Sequence, residues 1–384
     1  MSSPPNHKAI WHFLDVRAIW VREFASALSR QVDALGWQPR MSLFAQLARD
    51  GGEEVAQEPP LRIRHFALQR GFARLVPDLL GIEARRLDRM VQGAVSAGCA
   101  RPVLVCSSPH YAGLASRWRG VRIYYATDLF AAWGENPSRI RRLERAMCRS
   151  ADFVFPDSQR IADHLIKVAG CDPARITVSP MATRAASLLP EPRNSPAELP
   201  ADVRDMRRPV VGIIGNLANN MDWLLLKEAV ARTPWASWLF VGPTDMPVHG
   251  QERRRARDEL VGHGGRVRFV GGKPYGTLRD YARGVDVAVL PYLGVEPTFS
   301  GSSTRFYEHL AACRPILATR GFEELLHKEP LLSLVDSGVE LAAALEALRG
   351  ADFRDGRETL RWSTSRVETW EERARQMIQV VASG

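Results

Sequence analysis

Apolar residues along the chain fall into two alternating patterns. Short continuous runs read as strands buried on both faces: AIWHFL at 9–14, PVLVCS at 102–107, VRIYYA at 121–126, VVGII at 210–214, SWLFV at 237–241 and VDVAVL at 285–290. Weaker runs predict further strands at Met41–Phe44, Leu61–Leu68, Phe153–Pro156, Ile176–Ser179, Arg266–Val270 and Ile316–Thr319. Between these runs the spacing changes to that of a helix. Ile19, Trp20, Phe24, Ala27 and Leu28 share a face of a helix expected over Val16–Leu35, with Gly36 as its stop. Similar spacing predicts helices near Pro137–Cys148, from Asp157 or Ser158 to Val168, and over Met221–Ala231, Glu252–Val261, Thr277–Arg283 and Val339–Leu348. A last helix is expected over Trp362–Val381, with Trp370, Ala374, Met377 and Val381 on one face.

Strand and helix alternate in both halves, which predicts an α/β fold with mostly parallel sheets. Residues 188–208 break the rhythm with Pro190, Pro192, Pro196 and Pro200 in a polar, aperiodic stretch, and read as a linker. The expected division is a first domain over 1–187, a linker over 188–208, a second domain over 209–361 and a terminal helix over 362–384.

A chain of 384 residues is natural for two domains, and 45% apolar content supports full cores. No window is apolar enough to span a bilayer, and the start of the chain reads as a first strand rather than a signal peptide. Cys99, Cys106, Cys148, Cys171 and Cys313 are scattered and never form C-x-x-C, so neither a disulfide framework nor a zinc site follows. Reduced cysteines fit a cytoplasmic protein. The net charge of +9 is uneven: residues 1–200 carry 27 Lys and Arg against 19 Asp and Glu, and residues 201–384 carry 25 against 24. The stretch Gly71–Gly98 reads as a basic amphipathic helix carrying Arg74, Arg85, Arg86 and Arg89, which suits an anionic membrane surface or an ordinary solvated face. No zinc-finger or RNA-binding signature is present, which argues against nucleic acid.

The most informative stretch is Pro297–Thr319, PTFSGSSTRFYEHLAACRPILAT. A Ser/Gly/Thr loop runs into a short helix with Arg305 in its first turn and Glu308 three residues on. Loop donors, a helix N-terminus and a cation make a place for phosphate, and a lone carboxylate one turn in can hold a ribose diol. An ordinary capped helix with a solvated Arg and Glu is the plainer alternative. Open α/β sheets bind ligands at the carboxyl ends of their strands, which groups this stretch with the loops Gly215–Asn220, Gly242–Asp245 and Gly271–Tyr275.

Two α/β halves, a Pro-rich linker and a terminal helix resemble the GT-B glycosyltransferases. VVGIIGNLANNMDWLLL, PWASWLFVGP, VRFVGGKPYGTLRDYARGVDVAVLPY and SSTRFYEHLAACRPILAT resemble, more narrowly, the bacterial exopolysaccharide and teichuronic-acid type enzymes (family 4-like), and the segment around Asp128 resembles that of xanthan-type glucuronosyltransferases. The resemblance implies two Rossmann-like domains facing each other across a cleft, the C-terminal helix crossing back to the first. It implies a nucleotide-sugar donor held by the second domain: Arg305, in the place of the family Lys, on a donor phosphate; Glu308 on the ribose; Ser302, Ser303 and Thr304 on the diphosphate; Gly215 and Asn216 in the first glycine loop; Lys273 beside the base. Cys313 departs from the family's usual Gly, and the loop after Gly215 lacks the Arg and Lys that many retaining relatives use.

Transfer to an acceptor hydroxyl with inversion needs a base, expected at a strand end of the first half. Asp128, after VRIYYAT and before Phe130 and Trp133, is the first candidate, His110 the second, and Asp15 is an acceptor-side candidate. Each has a plainer reading, as a helix cap, a helix-start residue or a turn. No Asp-x-Asp lies on a donor loop, so no metal and no cofactor is expected. The expected activity is hexosyl transfer from a UDP- or GDP-type sugar to a saccharide or lipid-linked acceptor in bacterial cell-surface polysaccharide synthesis, in the cytoplasm, peripheral at the inner face of the plasma membrane. A nucleotide-sugar epimerase or hydrolase on the same fold, and a non-catalytic membrane- or partner-binding scaffold, are the alternatives.

Overall fold

The apolar runs become strands without a polar face. WHFL, VLVC, VVGII, SWLFV and VAVL are buried at every position, as expected of parallel strands covered by helices on both sides. The computed structural model describes residues 9–41, 61–68, 102–133, 136–245 and 247–384. The expected basic helix over Gly71–Gly98 lies outside the described residues. The chain divides into two units, residues 1–180 with 370–384, and residues 181–369.

The first unit holds β1 (Trp11–Leu14), β2 (Ala34–Met41), β3 (Arg62–Leu68), β4 (Val103–Cys106), β5 (Val121–Ala126) and β6 (Phe153–Pro156), in the order β3-β2-β1-β4-β5-β6. Every neighbouring pair is parallel. The second unit holds β7 (Val210–Ile214), β8 (Ser237–Val241), β9 (Val267–Phe269), β10 (Val287–Leu290), β11 (Ile316–Ala318) and β12 (Ser333–Leu334), in the order β12-β11-β10-β7-β8-β9, again all parallel. Counted within each unit, both sheets run 3-2-1-4-5-6, the doubly wound order whose direction reverses between its first and fourth strands. Those reversal points, β1/β4 and β7/β10, are where such sheets open a crevice for ligands.

Several expectations are corrected. Gly36 does not end a helix: the helix stops at Ser29, and Gly36 lies within β2, paired with Phe13 and Ile63. A Cβ there would lie 3.3 Å from the Val16 and Leu61 side chains, a tight fit that those side chains must yield to. The strand expected at Met41–Phe44 lies earlier, as β2, and residues 42–44 are outside the described set. Ile176–Ser179 makes one isolated bridge, Ile176 to Val154, instead of a strand. The tail is two helices, Glu358–Ser365 and Trp370–Ser383. The second of these groups with the first unit, packing Trp370 against Phe24 at 6.3 Å and pairing Glu371 with Arg30 at 2.6 Å.

The proline-rich stretch 188–208 packs as part of the second unit. Leu199 and Val203 are buried in its core, and Trp362 Nε1 donates to Leu189 O at 2.9 Å. Arg208 pairs with Asp286 at 2.9 Å, and buried Arg314 donates to the carbonyls of Asn194, Asp286 and Phe353. These bonds fix a backbone that has no regular partners of its own, which composition alone could not reveal.

Candidate active site

In the second unit the carboxyl ends of β7, β8 and β9 are knitted by backbone bonds. Gly215 N–H donates to Val241 O and Gly242 N–H to Gly271 O, both at 2.9 Å. A Cβ on Gly242 would lie 1.7 Å from Gly215 O, so no larger residue fits there. On Gly215 it would lie 3.0 Å from the Tyr292 hydroxyl and 3.3 Å from Arg305 Nε. Gly215 follows β7 and Tyr292 follows β10, so Arg305 is set directly at the reversal point of the sheet. Asn216 is exposed beside it.

Arg305 lies in the first turn of the helix Thr304–Ala312, which Ser303 caps by accepting from Phe306 N–H. Its guanidinium has no hydrogen-bond or ion-pair partner among the described residues, and its Nη1 is buried. An unpaired buried donor is costly, and such groups mark seats for an absent ligand, ion or water. Glu308, one turn on, is 6% exposed. Burial raises its carboxyl above the ordinary glutamate value, against the pull of a hydrogen bond from Tyr275 and the charges of Arg305 and Arg184. The Tyr275 hydroxyl donates to Glu308 Oε1 at 2.6 Å, and the Arg184 guanidinium lies 5.8 Å from the Tyr275 ring centre. The helix ends at Cys313 in the left-handed conformation, φ +60°, which glycine adopts most readily. The departure from Gly noted in the sequence thus falls where the backbone favours Gly.

The structure brings Gly215, Arg305 and Glu308 together, with Thr304 at the helix start. It does not leave Ser302 and Ser303 to an anion. Ser302 Oγ donates to Glu324 at 2.7 Å and accepts from Met181 N–H at 3.0 Å, and Ser303 N–H donates to Glu324 at 3.2 Å. Glu324 also accepts from the Tyr307 hydroxyl and pairs with Lys328 at 3.3 Å. Lys273, expected beside the base, pairs with Asp202 at 2.7 Å and lies 6.0 Å from the Tyr281 ring centre. Tyr275, from the same loop, reaches the site instead. Nothing local in the sequence marks Tyr275, Arg184 and Glu324; only the tertiary pairing does.

In the first unit Asp15 and His110 flank the other reversal point, β1/β4. Asp15 has φ +67°. Its carboxylate accepts from Arg17 Nε at 2.6 Å and from the Tyr111 hydroxyl at 3.3 Å. Ser107 Oγ donates to Leu14 O at 2.9 Å, tying the two strand ends together. His110 is exposed, and its Nδ1 lies 2.8 Å from Ser108 Oγ. Desolvation and the charges of Arg139 and Arg17 pull His110 below its ordinary value, while Asp15 opposes them. Asp128 is half-buried and follows β5, one strand further from the reversal point. Among the described residues no three His, Cys, Asp or Glu side chains are grouped to hold a metal ion, and no helix is long and apolar enough to cross a membrane.

No protein-family model matches the chain. A curated protein of Bacillus subtilis (strain 168), assigned to teichuronic acid biosynthesis as the glycosyltransferase TuaH, is 23% identical over 166 residues, which are 42% of this chain and 40% of that protein. Among solved structures, Anabaena HepE in complex with UDP and glucose matches with a TM-score of 0.66 at 15% identity, over 98% of this chain and all of that one. A glycosyltransferase from Rickettsia africae matches with a TM-score of 0.70 at 11% identity, over 98% of each chain. With two doubly wound sheets in one chain and full-length likeness to these structures, the chain has the fold of the GT-B glycosyltransferases.

Proposed function

We propose that the protein is a glycosyltransferase that moves a sugar from a UDP- or GDP-type donor to a saccharide or lipid-linked acceptor in bacterial cell-surface polysaccharide synthesis. One observation carries this reading: the partnerless, buried guanidinium nitrogen of Arg305 beside Gly215, with the carboxylate of Glu308 one helical turn away. A cation and a diol-binding carboxylate at that spacing suit a nucleoside diphosphate. HepE, whose structure holds UDP and glucose, favours uridine among the nucleotides.

In the reaction the bond between the anomeric carbon and the diphosphate oxygen breaks. The leaving diphosphate gathers charge, which Arg305 stabilises in place of a metal ion. The acceptor oxygen bonds to the anomeric carbon and releases its proton. In an inverting enzyme that proton passes to a base of the first unit, Asp128 in the first place and His110 in the second. His110, drawn toward its neutral form and held through Nδ1, has the chemistry for the role. Asp15 serves the acceptor side. The protein works in the cytoplasm, at the inner face of the plasma membrane.

Calorimetry with UDP and GDP, with and without a chelator, tests the donor side. Binding that persists in the chelator and weakens strongly in Arg305→Ala and Glu308→Ala supports the reading; unchanged affinity in both variants rejects the site. Asp128→Asn should abolish turnover with donor binding intact. Incubation with donor alone separates transfer from an epimerase or hydrolase, and a protein that binds lipid but no nucleotide would be a scaffold instead.

A further inference from the structure

Glu308, the carboxylate one turn from Arg305, is nearly enclosed. One of its oxygens is already engaged: Oε1 accepts from the Tyr275 hydroxyl at 2.6 Å. Tyr275 comes from the loop after β9 and is itself covered by the Arg184 guanidinium, 5.8 Å from the ring centre. A carboxylate can accept on both oxygens, so a tyrosine fixed on one leaves the other for a ligand. We propose that Tyr275 is a positioning residue for nucleotide binding, fixing Oε1 of Glu308 so that Oε2 is presented to a ribose diol. This rests on the donor-site reading given above.

The electrostatics run the same way. The groups acting on Glu308 are Tyr275 from its loop, Arg305 from the same helix and Arg184 from the segment that follows Pro180. Burial favours the protonated acid, and these three oppose it, the Tyr275 bond first among them. A protonated Glu308 donates from one oxygen and is a poorer partner for a diol, so nucleotide affinity falls as the pH falls through the titration of Glu308. Removing the tyrosine hydroxyl moves that fall to higher pH.

The test is UDP affinity measured by calorimetry between pH 5 and 8 for the wild type, Tyr275→Phe and Tyr275→Gln, with melting temperatures alongside. Tyr275→Phe keeps the ring and the Arg184 contact but not the donor. Its expected result is about ten-fold weaker UDP binding at neutral pH and a midpoint about one pH unit higher. Tyr275→Gln restores a donor and returns the midpoint toward that of the wild type. A midpoint in Tyr275→Phe equal to that of the wild type overturns the proposal, as does a Tyr275→Gln midpoint equal to that of Tyr275→Phe. Failure of the wild type to bind UDP or GDP rejects the donor-site reading instead. A Glu308→Ala variant that binds as well as the wild type also rejects that reading, so the two failures are distinguishable.

Discussion

The carboxylate of Glu324 accepts the hydroxyl hydrogen of Ser302 at 2.7 Å, at the start of the helix that carries Arg305 and Glu308. With Ser303 N–H and the Tyr307 hydroxyl as further donors, this side chain occupies the place at the helix N-terminus where an anion was expected. Glu324→Ala leaves three donors without their acceptor and should cost about 2–4 kcal/mol of stability, with Glu324→Gln costing about half as much. Urea denaturation checks this. Added sulfate should raise the melting temperature of Glu324→Ala more than that of the wild type, because the variant's helix start is open to it. Equal responses to sulfate would mean that Glu324 does not hold an anion seat.

Arg305 should show the opposite balance between stability and binding. Its buried nitrogen makes no hydrogen bond among the described residues, so Arg305→Met relieves a desolvation cost and gives up only the attraction of its charge for Glu308. The melting temperature should stay level or rise, while nucleotide binding weakens by about 2 kcal/mol. A variant that loses stability and keeps its affinity would make Arg305 a structural residue.

Gly215→Ala tests the closeness of the donor loop to that arginine. The added methyl meets the Tyr292 hydroxyl at 3.0 Å and Arg305 Nε at 3.3 Å, on a backbone at φ +157°. Nucleotide affinity should drop about ten-fold through displacement of the guanidinium. Tyr292→Phe in the same chain removes the nearer obstacle and should restore part of the loss. No restoration in the double variant, read from nucleotide titrations, would place the cost in the backbone alone.

Much of this architecture is legible in the sequence, for a definite reason. β5, β7 and β8 have the bounds read from Val121–Ala126, Val210–Ile214 and Ser237–Val241, because parallel strands covered on both faces are continuous apolar runs. β2, with Gly36, Gln38, Pro39 and Arg40 in ALGWQPRM, lacks such a run, so its bounds are not legible. The site divides in the same manner. Arg305 and Glu308 are legible because a helix start and one turn are local features. Tyr275 lies 33 residues from its partner Glu308, and Glu324 lies 22 from Ser302, with no periodicity to link them. Lys273, which the resemblance sets beside the base, has its charge paired with Asp202.

His309 gives the stability of the helix a pH dependence of known sign. It follows Glu308, is fully buried, and neither of its ring nitrogens has a partner among the described residues. Burial, aided by the Arg305 charge, pushes it from 6.5 down to about 3. The native state therefore keeps His309 neutral across a range in which the unfolded chain binds a proton. Where the unfolded state holds more protons, stability rises with pH, so the stability present above 6.5 is lost progressively as the pH falls toward 3. Buried His12, lowered to about 4, adds to the same loss. At pH 5 each histidine should remove about 2 kcal/mol relative to pH 8. His309→Phe cannot take that proton and buries no unpaired nitrogen, so its unfolding free energy should fall less steeply between pH 8 and 5. Urea denaturation at the two pH values decides the matter: an acid loss in His309→Phe equal to that of the wild type would mean that His309 is solvated or paired in the native protein.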